Sequence, residues 1–512
     1  MKTGKRNVAT WSLPDRSTQE ALKAAICERF RIRREEGTSE ERTYFDTFDW
    51  RLYRKGLLLH RNRHGWTLSG LETGEPVGFF ADSPEQSRRF RSDFSQTPLA
   101  PYMDRLLGLR ALLPLFQETI VRETFRILNR DEKTVALAIL EERTVQDEVR
   151  LLVTLQNIRG YRKKFKALHQ LLEEFALDEA IGPAEAFHRG ARLGGREPGA
   201  YSSALQVTLD PDLSAMQAAK NIFLQLLETM RANEAGIRDD LDTEFLHDFR
   251  VAVRRTRSGL ALFKEVLPED IREHFRNEFS FLGRVTGPVR DLDVYLLLAE
   301  QGYRNRLPEY LQGGLEDFFS RLHQTRKQEF ARLIRTMDSP RYKSILSDWE
   351  DVLQADDRSW SGCSDMPVID LATGTIRKWH RRIIEDGKEI KDDSPDEALH
   401  RLRIRCKKLR YGLEFFASLF PAGKMRRIRK QLKHLQDNLG AFNDLAVQQN
   451  MLREHLERLR PGVRKNLYQA AALGGLLTSL HREQEAVRSG FAASFARFSG
   501  KKTSGLFREL FY

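Results

Sequence analysis

Three cysteines in 512 residues are too few and too scattered for a disulfide framework or a zinc site. They stand at Cys27, Cys363 and Cys406. Runs of 18 or more apolar residues are missing, which excludes a transmembrane helix of ordinary length, and no membrane partner is expected. The opening stretch MKTGKRNVATWSLPDRSTQ has no apolar core, so no secretory signal is expected and a cytoplasmic location is the default. Negative charge is also short. The chain has 73 Asp and Glu against 85 Lys and Arg, a net +12 with a pI near 9.5, which points toward a polyanionic partner.

What is present divides into two parts. At this length the chain has room for two or more domains. In the first part, residues 1–195, LLLHRN, WTLSGL, VALAIL and VRLLVTLQ read as strands. ALKAAICERFRIRREE and YRKKFKALHQLLEEFALDEA read as helices. GARLGGREPGAYSS, from Gly190 to Ser203, has linker composition, and 196–204 is assigned as the linker. From 205 to 512 strand signals vanish and amphipathic helical patterns dominate. The expected fold is therefore an α+β domain followed by an all-α helical one.

The helical part repeats itself. HDFRVAVRRTRSGLALF begins at His247 and HRLRIRCKKLRYGLEFF at His400, 153 residues later. The register holds without a gap over about fifty positions, through GPVRDLDV at Gly287 and GAFNDLAV at Gly440. Arg250 pairs with Arg403, Arg254 with Lys407, Arg255 with Lys408, Arg257 with Arg410, Arg276 with Arg429 and Asp291 with Asp444. Two copies imply a pseudo-two-fold helical bundle, since a solenoid would need more repeats.

On a helix, Phe249, Ala252, Val253, Thr256, Leu260 and Phe263 form one apolar stripe. His247, Arg250, Arg254 and Arg257 lie roughly opposite, within an arc of about 80°. In the second copy Leu402, Cys406, Leu409, Leu413 and Phe416 form the stripe, interrupted by Arg405. His400, Arg403, Lys407 and Arg410 form its basic face. Ser394-Pro395-Asp396-Glu397 reads as a helix start, with Ser at the N-cap. Like charges at helical spacing cost a few tenths of a kcal/mol per pair. A merely solvated face would be served as well by interleaved Glu, and these faces have none. Cations repeated in this way suit a row of phosphates, which a guanidinium grips in bidentate fashion. Each histidine reads either as a plain helix-start residue or as a further donor at the end of that row. No second ligand stands at metal spacing beside either one.

These residues resemble the CHAD domain, the conserved histidine α-helical domain. The pattern H-x-x-R-x-x-x-[RK]-[RK]-x-R-x-G-L-x-x-F occurs twice, each time followed by G-x-x-x-D-L, and the likeness covers 205–512. It implies a pseudosymmetric bundle with a basic cleft for inorganic polyphosphate. The implied cleft residues are His247, Arg250, Arg254, Arg257, His400, Arg403, Lys407 and Arg410. Arg255, Lys408, Arg276, Arg429, Lys430 and Lys433 are further candidates.

The first part resembles CYTH domains, or triphosphate tunnel enzymes, through YFDTFDWRLYRKGLLLHRNRHGWTLSGL from Tyr44. That likeness implies an antiparallel β-barrel-like domain whose relatives hydrolyse or cyclise triphosphates with metal ions. Here the pattern is damaged. Where the family opens with Glu-x-Glu-x-Lys, this chain reads VATWSLP from Val8. Ser69 replaces a tunnel Lys and His60 a basic residue, with Arg61 and Arg63 close by. Glu148 matches one carboxylate of a late pair and Arg150 replaces the other, while Arg189-Gly190 is the remnant of a further motif. A hard cation bridging phosphates needs oxygen ligands, so no metal, no cofactor and no catalysis are expected.

The leading expectation is thus a non-catalytic polyphosphate-binding protein, cytoplasmic and associated with polyphosphate granules. Two alternatives are a triphosphatase or polyphosphatase acting through the N-terminal domain, and a nucleic-acid-binding protein. The last is disfavoured because the basic faces lack aromatic stacking platforms, Tyr411 excepted.

Overall fold

Alternating apolar and polar residues draw the N-terminal strands into one antiparallel sheet in the computed structural model, which describes residues 8–82, 89–355, 360, 363–391, 393–460 and 464–512. Residues 1–7, the start of the stretch read for a signal, lie outside the described residues. The chain separates into two units, 1–202 and 203–512.

The first unit contains β1 (Val8–Leu13), α1 (Arg16–Arg29), β2 (Ile32–Arg34), β3 (Thr38–Thr47), β4 (Leu57–Asn62), β5 (Gly65–Gly70) and β6 (Pro76–Ala81). It continues with α2 (Ala100–Leu106), β7 (Leu112–Leu128), β8 (Thr134–Val145), β9 (Glu148–Asn157), α3 (Arg162–Glu173), β10 (Asp178–Glu179) and α4 (Pro183–Leu193). The sheet order is β10-β1-β9-β8-β7-β3-β4-β5-β6, with β2 on β7. Among the described residues the end strands β10 and β6 do not pair, so the sheet does not close into a full barrel. One face buries Leu13, Phe125, Ile127, Ala138, Leu140, Val153 and Leu155 beneath Leu22 and Ile26 of α1 and Leu168, Leu171 and Leu172 of α3. The opposite face carries the charged residues Glu118, Glu141, Arg143 and Arg150 and, toward α4, an apolar cluster of Phe116, Val145 and Phe187.

Three expectations change here. The helix read across ALKAAICERFRIRREE stops at Arg29, because Ile32–Arg34 pairs with Phe125–Ile127 of β7. The one read through Ala180 stops at Glu173, and Ala176 turns the chain with a φ of 46° before β10. Gly190, assigned to linker composition, is helical. A Cβ there would lie 2.5 Å from the Phe116 ring, so glycine lets α4 sit down on β7.

The second unit is helical: α5 (Ala215–Arg238), α6 (Thr243–Leu262), α7 (Glu269–Val294), α8 (Glu300–Arg304), α9 (Glu309–Gln312), α10 (Glu316–Asp338) and α11 (Pro340–Gln354). Then come α12 (Val368–Glu389), α13 (Asp396–Phe415), α14 (Ala422–Glu457), α15 (Arg464–Ser489), α16 (Phe491–Ser499) and α17 (Lys501–Phe511). α5, α6 and α7 each start 153 residues before α12, α13 and α14. Every residue of both apolar stripes is buried. Arg405, which breaks the second stripe, is neutralised by Asp386 of α12.

α6 and α13 meet at a pseudo-two-fold crossing. Phe263 and Phe416, equivalent in the repeat, stack edge to face at 5.9 Å. A Cβ on Gly259 would lie 3.5 Å from Phe415, and one on Gly412 would lie 3.9 Å from Leu262. Gly259 matches Gly412, and Leu262 matches Phe415, so the contact is reciprocal in the way of an isologous interface. Asp242 caps α6 by accepting the Glu244 and Phe245 N–H groups. Ser394 does not cap α13 as expected. Its hydroxyl accepts Lys391 N–H instead, and Pro395 takes the N-cap position.

Candidate anion-binding groove

Burying one stripe of α13 turns Arg403, Lys407 and Arg410 toward α14, which presents Arg426, Arg429, Lys430 and Lys433. Together they line a groove of ≈ 820 Å³ whose only carboxylates are Glu414 and Asp437. Arg254 of α6 stands near enough for its charge to act on both Arg403 and Lys407, so one cation of the first basic face approaches the second. Arg426 was absent from the sequence-based candidates. The spacing Arg426, Arg429, Lys430, Lys433 (i, i+3, i+4, i+7) was the available signal.

Crowding changes the cations. Burial and the guanidinium groups of Arg403, Arg254 and Arg410 pull the Lys407 ammonium down to about 8. Burial, helped by Arg254 and Arg410, also holds Arg403 below its usual value, although Asp444 opposes it. Arg403 Nη2 lies 3.6 Å from that carboxylate. In the first repeat Arg250 is lowered by burial, and the equivalent Asp291 opposes the shift. Asp291 and Asp444, from the two G-x-x-x-D-L motifs, thus each favour the charged form of the repeat's leading arginine.

The remaining candidates are placed differently. Arg250 Nη1 donates to Gly283 O at 3.0 Å and to Thr286 Oγ1 at 2.8 Å. Arg257 is exposed and lies over Gly283 of α7, its Nη1 3.3 Å from where a Cβ would stand. His247 is half-buried on α6, and His400 Nδ1–H donates to Asn443 Oδ1 at 3.0 Å. None of these four lines the groove, and three further expected site residues are engaged elsewhere. Arg255 is committed to Glu414 at 3.1 Å and to Ser203 O at 2.8 Å. Lys408 sits 4.6 Å over the Trp379 ring. Arg276 is paired with Glu273 at 2.5 Å. Arg255 and Lys408 sit one residue beyond Arg254 and Lys407, which rotates them about 100° off the face.

The polar face of the N-terminal sheet is basic as well, but it is internally paired. Arg150 lies 3.0 Å from Glu118, Arg143 2.7 Å and Arg122 2.6 Å from Glu141, and Arg42 2.6 Å from Glu40. Tyr44 OH donates to Glu118 at 3.2 Å. Where metal-binding carboxylates were sought on β1, Thr10 and Ser12 share this face, and Thr10 hydrogen-bonds Thr154. Burial and Arg42 pull His60 down to about 4, so it is neutral near pH 7. Arg61 points to the other face, 5.5 Å over Trp66, and Arg63 donates to His64. Arg189 pairs with Glu148 at 2.5 Å. Among the described residues no group of three or more His, Cys, Asp or Glu is arranged to hold a metal, and no helix is long and apolar enough to cross a membrane.

The groove helices and their repeat fall within 221–453, which match the CHAD domain family model. Residues 221–453 form a CHAD domain. The chain is also 29% identical over 296 residues to uncharacterized proteins of Mycobacterium tuberculosis strains CDC 1551 and H37Rv. That match covers 56% of this chain, and the chain spans about half (53%) of the length of those relatives. Among solved structures, the CHAD domain of the plant Ricinus communis shares 25% identity over 58% of this chain and 98% of its own, with a TM-score of 0.47. PptA from Streptomyces chartreusis shares 18% over 55% of this chain and 96% of its own, with a TM-score of 0.41. HpAC1 of Hippeastrum, an adenylyl cyclase candidate for which a dominant triphosphatase activity is described, shares 14% over 38% of this chain and 99% of its own, with a TM-score of 0.29.

Proposed function

We propose that the CHAD domain binds inorganic polyphosphate along the groove where α6, α13 and α14 meet, and that the chain has no catalysis of its own. The observation that carries this is the convergence of Arg254 with the seven cations of the α13–α14 groove. Such a cluster is electrostatically unfavourable until an anion enters it. A nucleic acid would supply phosphate too. Tyr411, the aromatic residue beside the second basic face, is however buried against Phe415 and offers no surface for a base to stack on. A role at polyphosphate granules fits the same chemistry. The test is binding of long polyphosphate by the whole chain, with RNA and duplex DNA as competitors at one salt concentration. Polyphosphate is expected to displace both, and its affinity to fall steeply with added salt. Equal competition by RNA, or affinity indifferent to salt, would overturn the assignment.

The N-terminal unit is, on this reading, a CYTH-like domain that has lost its chemistry. Its buried Glu118 and Glu141 are satisfied by arginines and its buried Asp46 by the N–H groups of Thr47, Leu52 and Tyr53, so a divalent cation would have to break those contacts to be held. The whole chain is expected to release no phosphate from tripolyphosphate or ATP with Mg²⁺ or Mn²⁺ present. Turnover that a chelator abolishes would show that the carboxylates do rearrange around a metal.

A further inference from the structure

The charges of α3 run against its own dipole. Arg162, Lys163 and Lys164 fill the first turn and Lys166 follows, while the helix ends on Glu173 and Glu174. The reverse arrangement would stabilise a helix by about 0.3–1 kcal/mol per charge. Arg159 precedes the helix, and no acid stands between Arg159 and Lys166. All five cations are exposed, and among the described residues their side chains make no hydrogen bond or ion pair. Arg162, Lys163 and Lys166 share an arc of about 100°, opposite Phe165, Leu168 and Leu172, which pack on the sheet. Two more exposed cations, Arg130 and Lys133 of the β7–β8 turn, lie at the same end of the sheet, because Ala136 pairs with Asn157. The carboxylates of that turn are Asp131 and Glu132, and Glu132 is already taken by Arg31.

We propose that this surface, the exposed side of α3 with Arg159 before it and the β7–β8 turn beside it, is a second contact for a phosphate polymer, carried by the N-terminal unit and separate from the CHAD groove. This rests on the polyphosphate reading and adds a second place where the polymer is held. α3 packs on the face of the sheet opposite Glu118 and Arg150, so the surface is not the polar face of the sheet. Unpaired cations at neighbouring helical positions repel one another, and an entering anion relieves them. A bare phosphate chain suits the surface better than other polyanions. Tyr161 and Phe165 turn onto the sheet core, so neither ring is offered to a nucleobase. The apolar stripe of α3 is covered by the same core, so the helix has no free face to insert among lipids. Charge is what remains to be recognised, and inorganic polyphosphate presents little else.

Amine footprinting of the whole chain tests it. With saturating long polyphosphate, Lys163, Lys164 and Lys166 should be shielded severalfold from acetylation, alongside Lys407, Lys430 and Lys433 of the groove. In the Arg403→Ala/Lys407→Ala chain the α3 lysines should stay shielded. Adding Lys163→Glu/Lys164→Glu to that chain should weaken the remaining affinity about five- to tenfold at low salt. These acids enter the first turn of α3, where the dipole favours them, so the variant should fold. The milder Lys163→Gln/Lys166→Gln pair should act the same way by a smaller factor. Groove lysines shielded while the α3 lysines stay reactive, or an α3 variant binding within about twofold of its parent, would overturn the second contact and leave the functional reading standing. Shielding of the α3 lysines by RNA or by phosphatidylserine vesicles, but not by polyphosphate, would overturn the choice of ligand. If polyphosphate shields no lysine anywhere, the functional reading fails and takes this inference with it.

Discussion

The double variant Arg403→Ala/Lys407→Ala should bind long polyphosphate about ten- to several-hundred-fold more weakly than the wild-type chain. Each charge-assisted hydrogen bond to phosphate is worth about 1.5–3 kcal/mol, less what salt screens. Both cations line the groove and both feel Arg254, so they stand where the two repeats meet. The apolar stripe of α13 is untouched, so the fold should survive. Arg250→Ala/Arg254→Ala should cost less, because Arg250 is already tied to Gly283 and Thr286. Lys407 adds a pH signature. Its ammonium is lowered to about 8 from an ordinary 10.5, so its charged form is disfavoured in the folded, empty domain. That penalty on stability is full below pH 8 and fades as the pH rises from about 8 to 10.5. Binding has the opposite slope. A bound polyanion restores the proton, so affinity should fall above pH 8, by up to about tenfold per pH unit, and Lys407→Ala should flatten that fall. Titration calorimetry at pH 7, 8 and 9 reads the binding slope, and thermal melts at the same pH values read the stability penalty. A double variant that binds as well as the wild type would return the basic faces to plain solvated surface.

Much of this site was legible because a gapless repeat fixes two helices at once. The residues that bury and those that face the groove separate by helical angle alone, and both stripes are buried. What was not legible depended on partners far away in sequence. Nothing near Arg255 announces that Glu414 will take it, nor near Lys408 that Trp379 will. Equivalence in the repeat does not extend to every residue, since Glu273 takes the place of Arg426. In the N-terminal unit local helical pattern was overridden by pairing, as Ile32–Arg34 joined β7. The missing carboxylates of β1 were readable. The pairing of Glu118 and Glu141 with arginines was not, because it joins strands β7, β8 and β9 across the sheet.

Gly259 and Gly412 occupy the same place in the two repeats, yet substitutions there should act in opposite directions. A Cβ on Gly259 would stand 2.6 Å from Phe223 Cε1 and 2.9 Å from its Cζ. Phe223 cannot swing away, since it is fully buried with Phe263 at 5.8 Å and Trp349 at 5.1 Å. Gly259→Val therefore pushes α6 off Phe223 of α5, beside the contact with Phe415 of α13 at 3.5 Å, and so shifts α6 at the crossing. Overpacking of this kind costs about 1–3 kcal/mol or somewhat more, and the better helix propensity of valine recovers only about half a kcal/mol. The melting temperature should fall by several degrees, at about 2–4 °C per kcal/mol for a domain of this size. Polyphosphate affinity should fall too, because the crossing sets how Arg254 approaches Arg403 and Lys407. At Gly412 a Cβ meets Ile376 at 3.7 Å and Leu262 at 3.9 Å, ordinary contact distances. Gly412→Ala should thus gain helix propensity without a clash, raising stability by up to about 1 kcal/mol. Thermal melts of the two variants decide the matter. Equal shifts would mean that the crossing is symmetric and that Phe223 yields. Opposite shifts would show that the repeat kept its glycine twice but packs tightly around only the first.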